Sequence, residues 1–120
     1  MSDARPLRLF GMSGSLRRGS YSNAVLETLR DKFTGRAELT IGDLAPIPPY
    51  NQDFEGDRRP PPVKALLAAI ADADGLVLCA PEFNHSIPGV LKNALDWASR
   101  PAFTSVMAYE PVALMPTLFE

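Results

Sequence analysis

Cysteine, histidine and tryptophan occur once each in these 120 residues. With Cys79 alone, neither an intrachain disulfide nor a cysteine–histidine zinc framework can organise the fold. His85 has no second histidine to work with and is expected to be a surface or satisfied residue, not a metal ligand or triad member. No apolar run approaches the roughly 20 residues that a membrane-spanning helix requires. Residues 1–6 lack the apolar stretch of a secretory signal. Basic excess is also missing. Twelve Lys and Arg stand against fourteen Asp and Glu, a net charge of −2, which gives no footprint for nucleic acid and no polybasic patch for anionic lipid. Repeats, low-complexity tracts and linkers are absent. The expectation is one domain, in the cytoplasm, with neither nucleic-acid nor membrane partners.

What is present reads as alternating strands and helices. Residues 7–10 form a short apolar-leaning run that ends at Gly11, a first strand. Val25, Leu26, Leu29 and Phe33 then recur at helical spacing, with Ser22 or Asn23 as candidate caps and Gly35 where a C-terminal glycine belongs. Residues 37–41 alternate, Leu39 and Ile41 against Glu38 and Thr40, which marks a strand with a wet face or an edge position. Residues 43–62 are a long loop rich in proline. Val63, Leu66, Leu67 and Ile70 make the stripe of an amphipathic helix, entered through Pro60–Pro62 and ended by Asp74-Gly75. Residues 76–80 are apolar throughout, as a parallel strand covered on both faces must be. Residues 88–99 suggest a short helix carrying Leu91, Leu95 and Trp97, with Asp96 and Trp97 assigned to the helix and its packing. Residues 111–116 suggest a fourth strand.

This order is that of an α/β doubly wound parallel sheet. The strand characters fit a flavodoxin-like arrangement, in which the second strand is an edge and strands one and three are neighbours. Connections leave those two neighbours in opposite directions, and ligands bind beyond their C-terminal ends. The two richest loops of the sequence follow those two strands.

The first, Gly11-Met12-Ser13-Gly14-Ser15-Leu16-Arg17-Arg18-Gly19-Ser20-Tyr21-Ser22-Asn23, leads into a helix N-terminus, which favours a phosphate through its dipole and N–H groups. Ser15, Ser20 and Ser22 add hydroxyls, and Arg17 or Arg18 a charge-assisted bond. Gly14 and Gly19 have P-loop spacing, but Ser20 stands where the P-loop lysine is required, and no G-x-G-x-x-G is present. A plain Ser/Gly turn before a capped helix is the competing reading. The second loop, Pro81-Glu82-Phe83-Asn84-His85-Ser86-Ile87-Pro88-Gly89, offers Phe83 to pack on a flat ring and backbone groups at 82–84 for its polar edge. Simple core packing of Phe83 is the alternative.

Together, Gly14-Ser15-Leu16-Arg17 followed by Ser20, and the run from Pro81-Glu82-Phe83-Asn84 through Pro88-Gly89-Val90-Leu91-Lys92-Asn93-Ala94-Leu95-Asp96-Trp97, resemble the NAD(P)H-dependent FMN reductases, a family that includes bacterial quinone, chromate and azo-dye reductases. The resemblance covers residues 7–115. It implies that Ser15, Leu16, Arg17 and Ser20 bind the FMN phosphate, with Tyr21 and Ser22 or Asn23 completing the loop. The family pattern puts asparagine where Ser22 stands, with Asn23 one step later, and leaves the choice open. Pro81, Glu82, Phe83 and Asn84 would lie along the isoalloxazine ring, with Phe83 where relatives mostly carry tyrosine. The stretch Pro48-Pro49-Tyr50-Asn51-Gln52-Asp53 resembles a loop that approaches the flavin, often across a dimer interface. NADPH or NADH is the implied reductant and a quinone, azo compound or flavin the acceptor. A homodimer or homotetramer is the implied assembly. Neither a catalytic side chain nor a metal is expected, because the cofactor carries the hydride chemistry.

After Met115 the pattern departs. Relatives continue with a Gly/Ser-rich loop, a helix, a fifth strand and a final helix, where this sequence has Pro116-Thr117-Leu118-Phe119-Glu120. The expectation is therefore one flavodoxin-like FMN-binding domain over residues 1–120, with strand order 2-1-3-4 and the fifth strand missing. A non-catalytic binding module and an inactive fragment stand as alternatives to the enzyme.

Overall fold

In the computed structural model, residues 5–16, 20–81, 88–100, 105–108 and 110–117 are described. Their elements run β1 (Leu7–Ser13), α1 (Tyr21–Lys32), β2 (Ala37–Ile41), α2 (Pro61–Asp72), β3 (Gly75–Pro81), α3 (Gly89–Ala98) and β4 (Val112–Thr117). Two 3₁₀ turns, Gln52–Phe54 and Gly56–Arg58, interrupt the proline-rich loop. All pairings are parallel and the strand order is β2-β1-β3-β4, the flavodoxin-like arrangement expected.

The core divides by strand parity. On β3, Leu76 and Leu78 face α2 and α3, joining Phe10, Met12, Val63, Ile70, Leu91 and Trp97. Val77 and Cys79 face the other way, toward Leu26 of α1 and Leu39 of β2. An apolar run buried on both faces is what a central parallel strand requires. Each fully buried Leu, Ile or Val side chain contributes about 1.5–3 kcal/mol. Val63, Leu66, Leu67 and Ile70 are all buried, as their spacing predicts. On α1 only Leu26 among the predicted stripe is fully buried, since among the described residues α1 is the one helix on that face.

Three local expectations change. β1 runs on to Ser13, since residues 11–13 pair with residues 77–79 of β3 and complete the sheet there. Capping of α1 falls to Ser20, not to Ser22 or Asn23. Ser20 keeps extended backbone (φ −64°, ψ 152°) and its hydroxyl oxygen accepts the Asn23 N–H at 3.1 Å, so Tyr21 opens the helix. α2 ends at Asp72, two residues before the Asp74-Gly75 pair, and Gly75 begins β3. Gly35, at φ +90°, does serve the turn after α1, a backbone region that favours glycine.

Asp74 fastens β1 beside β3. Its carboxylate accepts the Arg8 N–H at 2.8 Å and two bonds from the Arg5 guanidinium at 2.9 and 3.0 Å, while its own N–H donates to Arg8 O at 2.6 Å. The Arg5 hydrogen bond first, then that from the Arg8 N–H, holds the Asp74 carboxyl below its ordinary pKa. A depressed folded-state pKa gives stability that is present above the unfolded value and lost as pH falls through the folded one. Asp74→Asn is therefore expected to lower the thermal midpoint at pH 7. The gap between variant and parent should narrow as pH drops below about 4, the ordinary aspartate range. A gap that stays constant with pH would remove this role.

The two sheet edges differ in chemistry. β2 presents Glu38 and Thr40, with Arg36 just before it, the kind of charged edge that resists strand addition. β4 reads Val-Ala-Leu-Met-Pro-Thr, carries no charge, and leaves Val112 44% and Leu114 71% exposed. Among the described residues no strand pairs with its outer side. An apolar recess of about 330 Å³ adjoins it, lined by Leu29, Phe33, Val77, Ala113 and Met115. Such an edge invites a second copy. In sedimentation velocity the chain is expected to associate with rising concentration and Leu114→Lys to reduce that association. A monomer at every concentration would contradict this.

Candidate functional site

The loops after β1 and β3 leave the C-terminal edge of the sheet side by side. Gly14 N–H donates to Cys79 O at 2.9 Å, extending the β1–β3 pairing into the loop. A side chain at Gly14 would put its Cβ 2.8 Å from Ala80 Cβ and 3.0 Å from Pro88 Cγ. Only glycine lets the first loop lie this close to both ends of the second. Immediately after it, Ser13 Oγ accepts the Ser15 N–H at 3.1 Å and donates to Ser15 O at 3.3 Å, tightening the turn.

The expected phosphate residues sort by exposure. Leu16 and Tyr21 are exposed, at 56% and 59%, and Ser15 and Asn23 are half-buried. Ser20 and Ser22 are fully buried, Ser20 with its oxygen in the cap. Arg17 lies outside the described residues. α1 begins at Tyr21, so the positive end of its dipole faces this loop. Of the ring-side residues, Pro81 is the last residue of β3, its backbone in register with Thr117. Glu82, Phe83 and Asn84, like His85, lie outside the described residues. A turn tightened by serines, a glycine approach that a Cβ would block and a helix N-terminus are features that suit a phosphate.

The proline-rich loop, whose residues 48–53 resemble a loop that approaches the flavin, is bonded to α3. Pro48 O accepts two bonds from α3, from Asn93 Nδ2 and from Trp97 Nε1, each at 2.8 Å. Tyr50 N–H donates to Asn93 Oδ1 at 2.7 Å. The Tyr50 ring meets Trp97 edge-on, with centroids 5.0 Å apart and planes at 72°. Its hydroxyl bonds Glu55 Oε1, which also accepts from Arg100 Nε at 3.1 Å. The Tyr50 hydrogen bond, followed by Arg100, holds the Glu55 carboxyl below its ordinary pKa. The same bond to Glu55 raises that of the phenol. Arg59 donates to Arg100 O at 3.3 Å, while its buried Nε finds no partner among the described residues. Asn93 was the readable signal. A half-buried amide within the buried stripe Leu91, Ala94, Trp97 demands polar partners that helix packing cannot supply. Asp96 instead faces outward and pairs with Lys92 at 2.9 Å.

A separate concavity of about 800 Å³ lies at the opposite end of the sheet, lined by Arg5, Pro6, Arg30, Arg36 and Glu38. It sits at the N-terminal strand ends, away from the crevice where doubly wound sheets bind ligands. Among the described residues no helix is long and apolar enough to cross a membrane.

Comparison with known proteins agrees with this geometry. Residues 7–119 match the family described as NADPH-dependent FMN reductase. The chain is 41% identical over 111 residues to a 2-hydroxy-1,4-benzoquinone reductase of a Burkholderia species, covering 92% of this chain and 60% of that protein. It is 43% identical over 101 residues to an NAD(P)H-dependent FMN reductase of Pseudomonas aeruginosa, covering 84% of this chain and 54% of that one. Among solved structures it is similar to FerB, a flavoenzyme NAD(P)H:(acceptor) oxidoreductase of Paracoccus denitrificans. There the TM-score is 0.84 and the identity 33%, over 92% of this chain and 60% of FerB. The chain thus spans somewhat more than half the length of these relatives. With sequence motifs, sheet order and near-complete coverage of the match in agreement, the chain belongs to the NADPH-dependent FMN reductase family.

Proposed function

We propose that this domain binds FMN at the β1/β3 crevice and works as an NAD(P)H-dependent oxidoreductase toward a small acceptor such as a quinone, azo compound or flavin. The observation that carries the reading is the approach of the two loops at Gly14, in a chain of this family. FMN, when bound, supplies a ring that accepts hydride from NADPH or NADH and delivers it to the acceptor. The protein binds and orients. Ser15, Leu16 and Arg17, with the start of α1 at Ser20, Tyr21, Ser22 and Asn23, hold the phosphate. Pro81, Glu82, Phe83 and Asn84 form the ring side. No side chain is assigned an acid or base role, because hydride transfer through a flavin does not require one. A cytoplasmic setting and a homodimer or homotetramer belong to the same proposal.

The apolar outer edge of β4, unpaired among the described residues, favours a second reading, in which the domain holds FMN without turnover. Purified protein that is yellow and oxidises NADPH in the presence of a quinone is the expected result. Yellow protein without turnover would favour the second reading, and colourless protein would contradict both.

Arg17 tests the phosphate end. Arg17→Ala is expected to weaken FMN binding by about 1.5–3 kcal/mol, the scale of a hydrogen bond to a charged group. Riboflavin, which lacks the phosphate, should bind almost unchanged. Equal losses for both flavins in a fluorescence titration would take Arg17 out of the phosphate site.

A further inference from the structure

We infer that Asn93 is a positioning residue: from α3 it holds the backbone of residues 48–50 in place and thereby shapes the ring side of the flavin site. This rests on the proposed function for the identity of the ligand, and on the hydrogen bonds below for the clamp itself.

Residues 48–50 lie in no helix or strand, so their polar backbone groups need partners from elsewhere. Pro48 and Pro49 have no N–H, which leaves Tyr50 N–H as the only backbone donor in the stretch. Asn93 takes that donor at 2.7 Å and gives its own Nδ2–H to Pro48 O at 2.8 Å. One amide thus grips the chain on both sides of Pro49. Trp97, one turn further along α3, bonds the same Pro48 oxygen and seats the Tyr50 ring. Beyond the end of α3, Arg100 reaches Glu55, which holds the Tyr50 hydroxyl. The loop is therefore fixed along one side of α3 from Asn93 to Arg100.

The other end of α3 adjoins the crevice. The helix starts at Gly89, directly after the Pro88 that closes on Gly14. Asn93 is four residues on, a rise of about 6 Å. The same short helix thus adjoins the ring-side loop at its first residue and grips the proline-rich loop one turn later. Asn93 need not touch flavin to affect it. Without the amide, Tyr50 N–H loses its partner and Pro48 O keeps only the indole bond, and the loop turns toward water.

Trp97, the only tryptophan, reports on the clamp directly. The test compares the full chain with Asn93→Ala and Asn93→Asp, well below the unfolding midpoint of each. The aspartate keeps the acceptor for Tyr50 N–H but not the donor to Pro48 O, and it preserves side-chain volume should the alanine variant fail to fold. Expected for Asn93→Ala is Trp97 emission shifted to the red and more open to acrylamide quenching. FMN and riboflavin affinities should both fall about tenfold, the scale of a lost hydrogen bond in a buried setting. The shoulders of the bound flavin's long-wavelength absorption band, which mark a ring shielded from water, should weaken. Asn93→Asp should move each quantity in the same direction by less. Unchanged Trp97 emission in both variants overturns the clamp. Altered emission with unchanged flavin affinity and band shape overturns its effect on the ring, as does a loss confined to FMN. A parent chain that binds neither flavin contradicts the proposed function and removes the ring-side role, while the Trp97 comparison still decides the clamp.

Discussion

The close approach at Gly14 is the contact on which the rest of the site depends. β1 and β3 are in register as far as Ser13 and Cys79, and the Gly14 N–H carries the pairing one step beyond, onto Cys79 O. Ala80 and Pro88 occupy the space that any side chain at residue 14 would need. Two loops that depart to opposite faces of the sheet are thereby joined where they depart. α3 begins directly after Pro88, at that junction.

α3 extends this arrangement outward. Its buried stripe of Leu91, Ala94, Trp97 and Ala98 packs on the face shared with α2, while Asn93 and the indole N–H of Trp97 provide the hydrogen bonds that an irregular loop lacks. A buried polar group without a partner is costly, so the proline-rich loop is held where those partners are. Its two 3₁₀ turns then bring Glu55 within reach of both Tyr50 and Arg100. A stretch rich in proline, with no structure longer than a single 3₁₀ turn, is thus fixed against α3.

Where burial alone sets the pattern, the sequence was legible. The α2 stripe, the apolar run of β3 and the alternation in β2 each reflect which faces are covered, and the sheet order follows from them. The family resemblance carried by the two loop motifs proved correct. Features set by a single hydrogen bond were less legible. Ser20, Ser22 and Asn23 are all good capping residues, and only the backbone angles show that Ser20 takes the role. The last three residues of β1 look like loop because they open with Gly11 and lead into Gly14, yet their pairing with β3 makes them strand. The grip of Asn93 on residues 48–50 joins positions more than forty residues apart, which no local pattern encodes.

Amide hydrogen exchange with and without FMN tests whether the flavin sits between the loops after β1 and β3. FMN is expected to slow exchange in peptides covering residues 14–24 and 80–93, with little change at the N-terminal ends of the strands. Protection confined to the recess around Arg5, Arg30 and Arg36, with residues 14–24 and 80–93 unaffected, would contradict it.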